Sequence, residues 1–171
     1  MGRALCVDPE AASFKQQATS FKQQATSHKL DKKGLKDYIG HMKTDEALKI
    51  IGGSLSKPSK MPGWSIGLPA KECKTGGKLQ KVPGSVCHDC YALKGCYVFK
   101  VVQDAQYRRL AAIKNPEWVQ AMAHLINSKK PDVFRWHDSG DVQDLDHLKK
   151  IYAVCRLTPG KRHWLPTREA W

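Results

Sequence analysis

Three short apolar stretches constrain this chain most: "GWSIGLPA" (63–70), "DVFRWH" (132–137) and "RHWLP" (162–166). Each has strand length and is bounded by turn-forming residues. Between the first two, Val102–Ile113 reads as a helix. Asn115-Pro116-Glu117 then restarts a helix, with Asn as N-cap and Pro in the first position. Trp118, Met122, Leu125 and Ile126 share one face of that second helix. Between the last two stretches, Asp144 can cap a helix whose expected apolar stripe is Leu145, Leu148, Ile151, Tyr152 and Cys155. Strands alternating with helices predict crossover connections and a parallel sheet. The expected fold class is therefore α/β, with a partial (β/α) barrel-like parallel sheet. Three strands leave a barrel incomplete, and the sequence stops at Trp171 just after the third. The corresponding expectation is a truncated piece, or a fold completed by another chain.

Upstream, Asp31–Ile51 reads as a helical extension in two pieces. Leu35, Ile39 and Met42 fall at helical spacing, and Thr44 serves as N-cap ahead of Asp45 and Glu46. Residues 13–26 are a tandem "SFKQQAT" duplication whose only apolar anchors are Phe14 and Phe21. That is too sparse for a coiled-coil seam. The division expected is a mobile repeat-containing tail (1–30), a helical extension (31–56) and a βα domain (57–171).

A chain of 171 residues suits one domain with a real core. It has no apolar run of membrane-span length and no secretory leader pattern, so a cytoplasmic location is expected. Thiols there stay reduced, and clustered cysteines more often bind metal or react than form disulfides. Lys and Arg total 29 against 16 acids, a formal charge of +13. Residues 57–100 hold eight lysines and only Glu72 and Asp89 as acids. Such a segment attracts phosphates or nucleic acid and would lower nearby thiol pKa values. The alternative is a solvated lysine surface, because the aromatics are not interleaved along the sequence as a stacking platform requires.

The same segment contains "GSVCHDCYALKGCY" (84–97). Cys87-x-x-Cys90 can converge on one metal from a single turn, with Cys73 and Cys96 as further ligands. A redox pair or small buried hydrophobes are the other readings, and Cys6 and Cys155 are bystanders. In a parallel βα fold, chemistry collects beyond the carboxyl ends of the strands. The polar loops at those positions are the cysteine loop, "HDSGD" (137–141) and "TRE" (167–169). His137 can act as acid, base or ligand, and Asp138 or Asp141 can bind an amine or a metal. Ser139 and Gly140 allow close approach to a ligand, although Asp141 can equally begin the next helix. Arg168 and Glu169 offer anion and amine contacts, or simply pair with each other. A Ser–His–Asp hydrolase is disfavoured because no nucleophile elbow is present.

Four motifs, "SIGLPA…C" (65–73), "CxxCYALKGCY" (87–97), "FRWHDSGD" (134–141) and "HWLPTRE" (163–169), resemble the phage-borne gene product 88 family over residues 57–171. That family is similar in layout to radical S-adenosylmethionine proteins. The resemblance implies a [4Fe–4S] cluster on Cys73, Cys87 and Cys90, and S-adenosylmethionine near the "HDSGD" loop. His137, Asp138 and Asp141 would be the catalytic groups, and Ser139, Gly140, Arg168 and Glu169 would bind the cofactor. This chain departs from the pattern in the thirteen residues between Cys73 and Cys87, and in the extra Cys96. If Cys96 also binds, the site closes. The competing expectation is then a non-catalytic, zinc-stabilised module holding nucleic acid through its basic segment.

Overall fold

The three apolar stretches form strands, and the segments between them form helices. A computed structural model describes residues 42–170. The tandem heptads, Cys6 and the helical reading of 31–41 lie outside those residues. The order is α1 (Thr44–Ile50), β1 (Trp64–Ile66), α2 (Lys74–Leu79), α3 (Lys100–Ala112), α4 (Trp118–Asn127), β2 (Val133–Trp136), α5 (Leu145–Leu157) and β3 (Arg162–Trp164). Short 3-10 turns at Ala70–Glu72, Tyr91–Leu93 and Gly95–Val98 punctuate the long connection after β1.

The sheet has the order β1-β2-β3 and both pairings are parallel. Its outer strands β1 and β3 do not pair with each other, and the free edge of β1 carries only an isolated antiparallel bridge from Ser56 to Ser65, so among the described residues it is a small open sheet and not a closed barrel. Register places Ile66 beside Trp136 and Phe134 beside His163 on one face. Ser65, Arg135 and Trp164 share the other face, since side chains alternate along a strand. The first face is the core. Trp118 of α4 lies 6.1 Å from Trp136 and 5.7 Å from His147 of α5, ring centre to ring centre. Trp136 Nε1 donates to His163 Nδ1 (3.1 Å), so His163 Nε2 carries the proton and meets Thr158 Oγ1 at 2.7 Å. Thr158 Oγ1 in turn donates to Val154 O (2.8 Å). One buried relay thus fixes β2, β3 and the end of α5 together.

The second face is covered at β1, where Ser65 is fully buried, and open at β3. Parallel sheets are ordinarily buried on both sides. Here Trp164 is 52% exposed, with the Arg135 guanidinium 4.8 Å over its ring.

Three local expectations need correction. Thr44 is the first residue of α1 and not its cap, because its hydroxyl faces His124 Nε2 of α4 at 3.3 Å. Asn115 Oδ1 does accept from Glu117 N (2.8 Å), yet regular α4 begins only at Trp118. Asp144 caps α5 by accepting from His147 N at 2.7 Å, but the buried face runs through His147, Ile151, Val154 and Leu157. Leu145 and Tyr152 are exposed. The sheet-facing side was decided by the ring stack at His147, which an apolar count along the sequence passes over.

Candidate functional site

The loops that leave the carboxyl ends of β1 and β2 are knitted together by backbone bonds. Leu68 N donates to Ser139 O and Ser139 Oγ donates to Leu68 O, both at 2.8 Å. Gln106 Nε2 of α3 adds a buried bond to Ser139 Oγ (2.8 Å). The approach leaves no room for side chains. A Cβ on Gly67 would lie 2.6 Å from Asp138 Oδ1, and one on Gly140 would lie 2.8 Å from Leu68 O. Gly140 also has φ +77°. Gly140→Ala is therefore expected to cost about 2 kcal/mol, from left-handed backbone strain and a contact with main chain that cannot move. A urea midpoint equal to that of the parent would refute this.

The third polar loop is strapped across the other two. Asp141 is buried, and its carboxylate accepts from Val142 N (2.7 Å) and Arg168 N (2.8 Å). Glu169 accepts from the backbone N (2.9 Å) and hydroxyl (2.7 Å) of Thr75 in the first turn of α2. The structure thus brings all three expected loops together. Within them, Ser139, Asp141 and Glu169 have hydrogen-bond partners inside the chain, and Gly140 serves the close approach. The expected Arg168–Glu169 pair is absent among the described ion pairs. The Arg168 side chain borders the cleft instead.

That cleft has a volume of about 470 Å³, with Cys73, Cys87 and Cys90 on one wall and His137 and Asp138 on another. His137 leaves β2 with φ +62°, a conformation uncommon for a side chain of its size. Its Nδ1 lies 3.3 Å from Ile66 O, which makes Nδ1 the protonated nitrogen and Nε2 an acceptor without a partner. Burial lowers its pKa to about 4, so the ring is neutral near pH 7. Asp138 Oδ1 also lacks a partner. Burial raises its carboxyl pKa, against the opposing pull of its own backbone N–H, the Arg109 guanidinium, the Ser65 hydroxyl and the Arg135 guanidinium.

The thiols run against the expected acidification. Burial, then the Asp141 carboxylate and the neighbouring Cys90 and Cys87, push Cys73 up to about 12. Cys87 is raised as well, by burial and by Cys90. The eight lysines of 57–100 are all exposed, where water screens them.

The metal expectation is overturned. Among the described residues no group of three or more His, Cys, Asp and Glu side chains is placed to hold a metal ion. Cys73, Cys87 and Cys90 border one cleft without forming a metal-holding group. Cys96 borders a different cavity. The cysteines from Cys73 to Cys155 are free thiols. The iron–sulfur cluster, the radical S-adenosylmethionine activity built on it and the zinc-stabilised module are therefore all withdrawn. The spacing allowed a ligand pair, and Cys73 Sγ and Cys87 Sγ both approach Gly76, but among the described residues no metal-holding group of three is completed there.

Cys96 belongs to a groove of about 650 Å³, bordered also by Lys57, Lys60, Tyr91, Tyr97 and Arg135. Tyr91 is 56% exposed, its ring centre lies 5.8 Å from that of Tyr97, and its hydroxyl donates to Asp138 O. Sequence reasoning had passed over Tyr91, Tyr97, Arg135, Gln106 and Thr75 as site residues. Arg135 alone carried a signal, as a charge set between the buried Phe134 and Trp136 in a strand.

An open parallel α/β domain with a polar, thiol-lined cleft at its strand ends and an aromatic–basic groove beside it is the class these features define. The chain belongs to the Gene product 88 family, whose profile matches residues 20–171. The likeness expected for 57–171 therefore begins well upstream, before the second heptad has ended. No curated protein and no solved structure matches the chain. Among the described residues no helix is long and apolar enough to cross a membrane.

Proposed function

We propose that this Gene product 88 protein binds single-stranded nucleic acid in the groove beside Tyr91. One observation carries the reading: the fold gathers Lys57, Lys60 and Arg135 around Tyr91 and Tyr97, from three separate parts of the sequence. Cations that track a phosphate backbone, set beside the exposed Tyr91 ring and the half-buried Tyr97 ring, are what unpaired bases need for stacking. The formal charge of +13 and the exposed lysines of 57–100 add long-range attraction. A duplex hides its base faces, so the rings favour single strands. The "HDSGD" and "TRE" loops serve this reading as the support that holds Asp138, and through it Tyr91, in place.

Fluorescence anisotropy on a labelled single strand and on the matching duplex tests it. The single strand is expected to bind more tightly, with log K falling against log salt at a slope of about −2 for three neutralised phosphates. Tyr91→Ala or Tyr97→Ala is expected to weaken binding by about 1–3 kcal/mol each, while Tyr91→Phe keeps the stack. Equal affinity for duplex, or binding that ignores salt, would overturn the proposal.

A further inference from the structure

The groove and the second face of the sheet share one residue, Arg135. Register sets Ser65, Arg135 and Trp164 side by side across β1, β2 and β3. At the β1 end Ser56 bridges to Ser65, and residues 56–61 line the groove. Met61 Sδ, which ends that segment, accepts from Arg135 Nη1. At the β3 end Trp164 is 52% exposed, and the Arg135 guanidinium lies 4.8 Å over its ring. We infer that a single strand leaves the groove across Arg135 and stacks a base on Trp164; this rests on the single-strand reading above and extends its path.

Charge and spacing select the occupant. Lys57, Lys60 and Arg135 border the groove against one carboxylate, Asp138. Among the described residues Arg135 enters no ion pair, so its charge is available to a phosphate. Its planar group stacks on the indole and fixes the ring, which lowers the ordering cost when a base joins it. Neighbouring strands lie about 4.8 Å apart, and stacked nucleotides rise about 3.4 Å each. Trp164 is therefore within one or two nucleotides of Arg135. A second copy of this chain is the other candidate for so exposed a ring. It would bring a further formal charge of +13 against this one, which opposes close approach. A polyanion with flat bases satisfies the cation and the indole together.

Fluorescence anisotropy of the full chain on a labelled oligothymidylate ladder, from dinucleotide to dodecamer, tests the path. Tyr91→Ala is expected to weaken binding at every length. Trp164→Ala is expected to weaken the longer strands about tenfold and to leave the shortest strands that bind unchanged. Trp164→Phe keeps a ring and is expected to stay close to the parent. Tryptophan fluorescence gives a second readout: long strands should quench the parent more than Trp164→Phe, and short strands should quench the two equally. If Tyr91→Ala weakens binding while Trp164→Ala matches the parent at every length, the path past Arg135 is overturned and the groove stands. A Trp164→Ala loss that is equal at every length also overturns it, since the indole would then lie within the groove's own span. A loss in Trp164→Ala with none in Tyr91→Ala overturns the groove, and the continuous path with it. No binding of any strand overturns both. A dimer of the free chain in light scattering that Trp164→Ala dissociates gives this face to a second copy and overturns the proposal.

Discussion

Asp141→Ala is expected to lower stability by about 2–3 kcal/mol and to free the 166–169 segment from the strand ends, because a buried N–H and a half-buried N–H lose their acceptor. Asp141 is buried and accepts from Val142 N at 2.7 Å and Arg168 N at 2.8 Å. No other side chain within the described bonds replaces it at either donor. Asp141→Asn keeps one oxygen, so roughly half of the loss is expected there. Urea unfolding gives the magnitude, and amide exchange at Arg168 gives the mechanism. Exchange should accelerate in both variants under native conditions, more in Ala than in Asn. If the Arg168 amide stayed as protected as in the parent, Glu169 and its bonds to Thr75 would be sufficient to hold the strap. The latch assigned to Asp141 would then be wrong.

Acid should destabilise this protein from about pH 6.5 downward, chiefly through two buried histidines. His137 has its pKa lowered to about 4 and His147 to about 3, both chiefly by burial. Their rings lie 5.3 Å apart, so a charge on either opposes one on the other. In the unfolded chain both titrate at the ordinary value of 6.5. Below that pH the unfolded state takes up two protons that the folded state refuses. Stability is therefore full above pH 6.5 and falls as pH drops toward the folded values. The slope approaches about 2.7 kcal/mol per pH unit when both rings count. Asp138 works the other way, since its raised pKa means that acid relieves a buried carboxylate. Thermal midpoints from pH 8 to pH 4 measure the balance. His147→Gln should halve the slope, and so should His137→Asn, whose residue type tolerates the positive φ. A profile flat from pH 7 to pH 5 would show that the two rings are not neutral in the fold.

The sequence determined the skeleton. Three apolar stretches alternating with helical segments are enough to specify parallel strands, and the positions of β1, β2 and β3 follow from them. The Asp144 cap was legible because an N-cap is a local arrangement of a side chain and an amide three residues on. The meeting of the cysteine loop with 137–141 and 167–169 was legible too, since parallel strands bring their carboxyl ends together whatever the loops contain.

What the loops do there was decided only in three dimensions. Cys87-x-x-Cys90 is compatible with a metal, but whether Cys73 and Cys96 join it depends on the path of the chain through two 3-10 turns. That path sends Cys96 to the far side of Tyr91. Asp141 and Glu169 looked like ligands because carboxylates at strand ends often are, yet Asp141 is held by two backbone amides and Glu169 by the amide and hydroxyl of Thr75. The aromatic–basic groove was invisible for the opposite reason. Its lysines, tyrosines and arginine lie far apart along the chain, and interleaving along a sequence is a different property from adjacency on a folded surface. Local chemistry is set by neighbours in sequence; a site's electrostatics and hydrogen-bond balance are set by neighbours in space. Here these two sets of neighbours coincide for the helix cap and the strands, and they part at the cysteines.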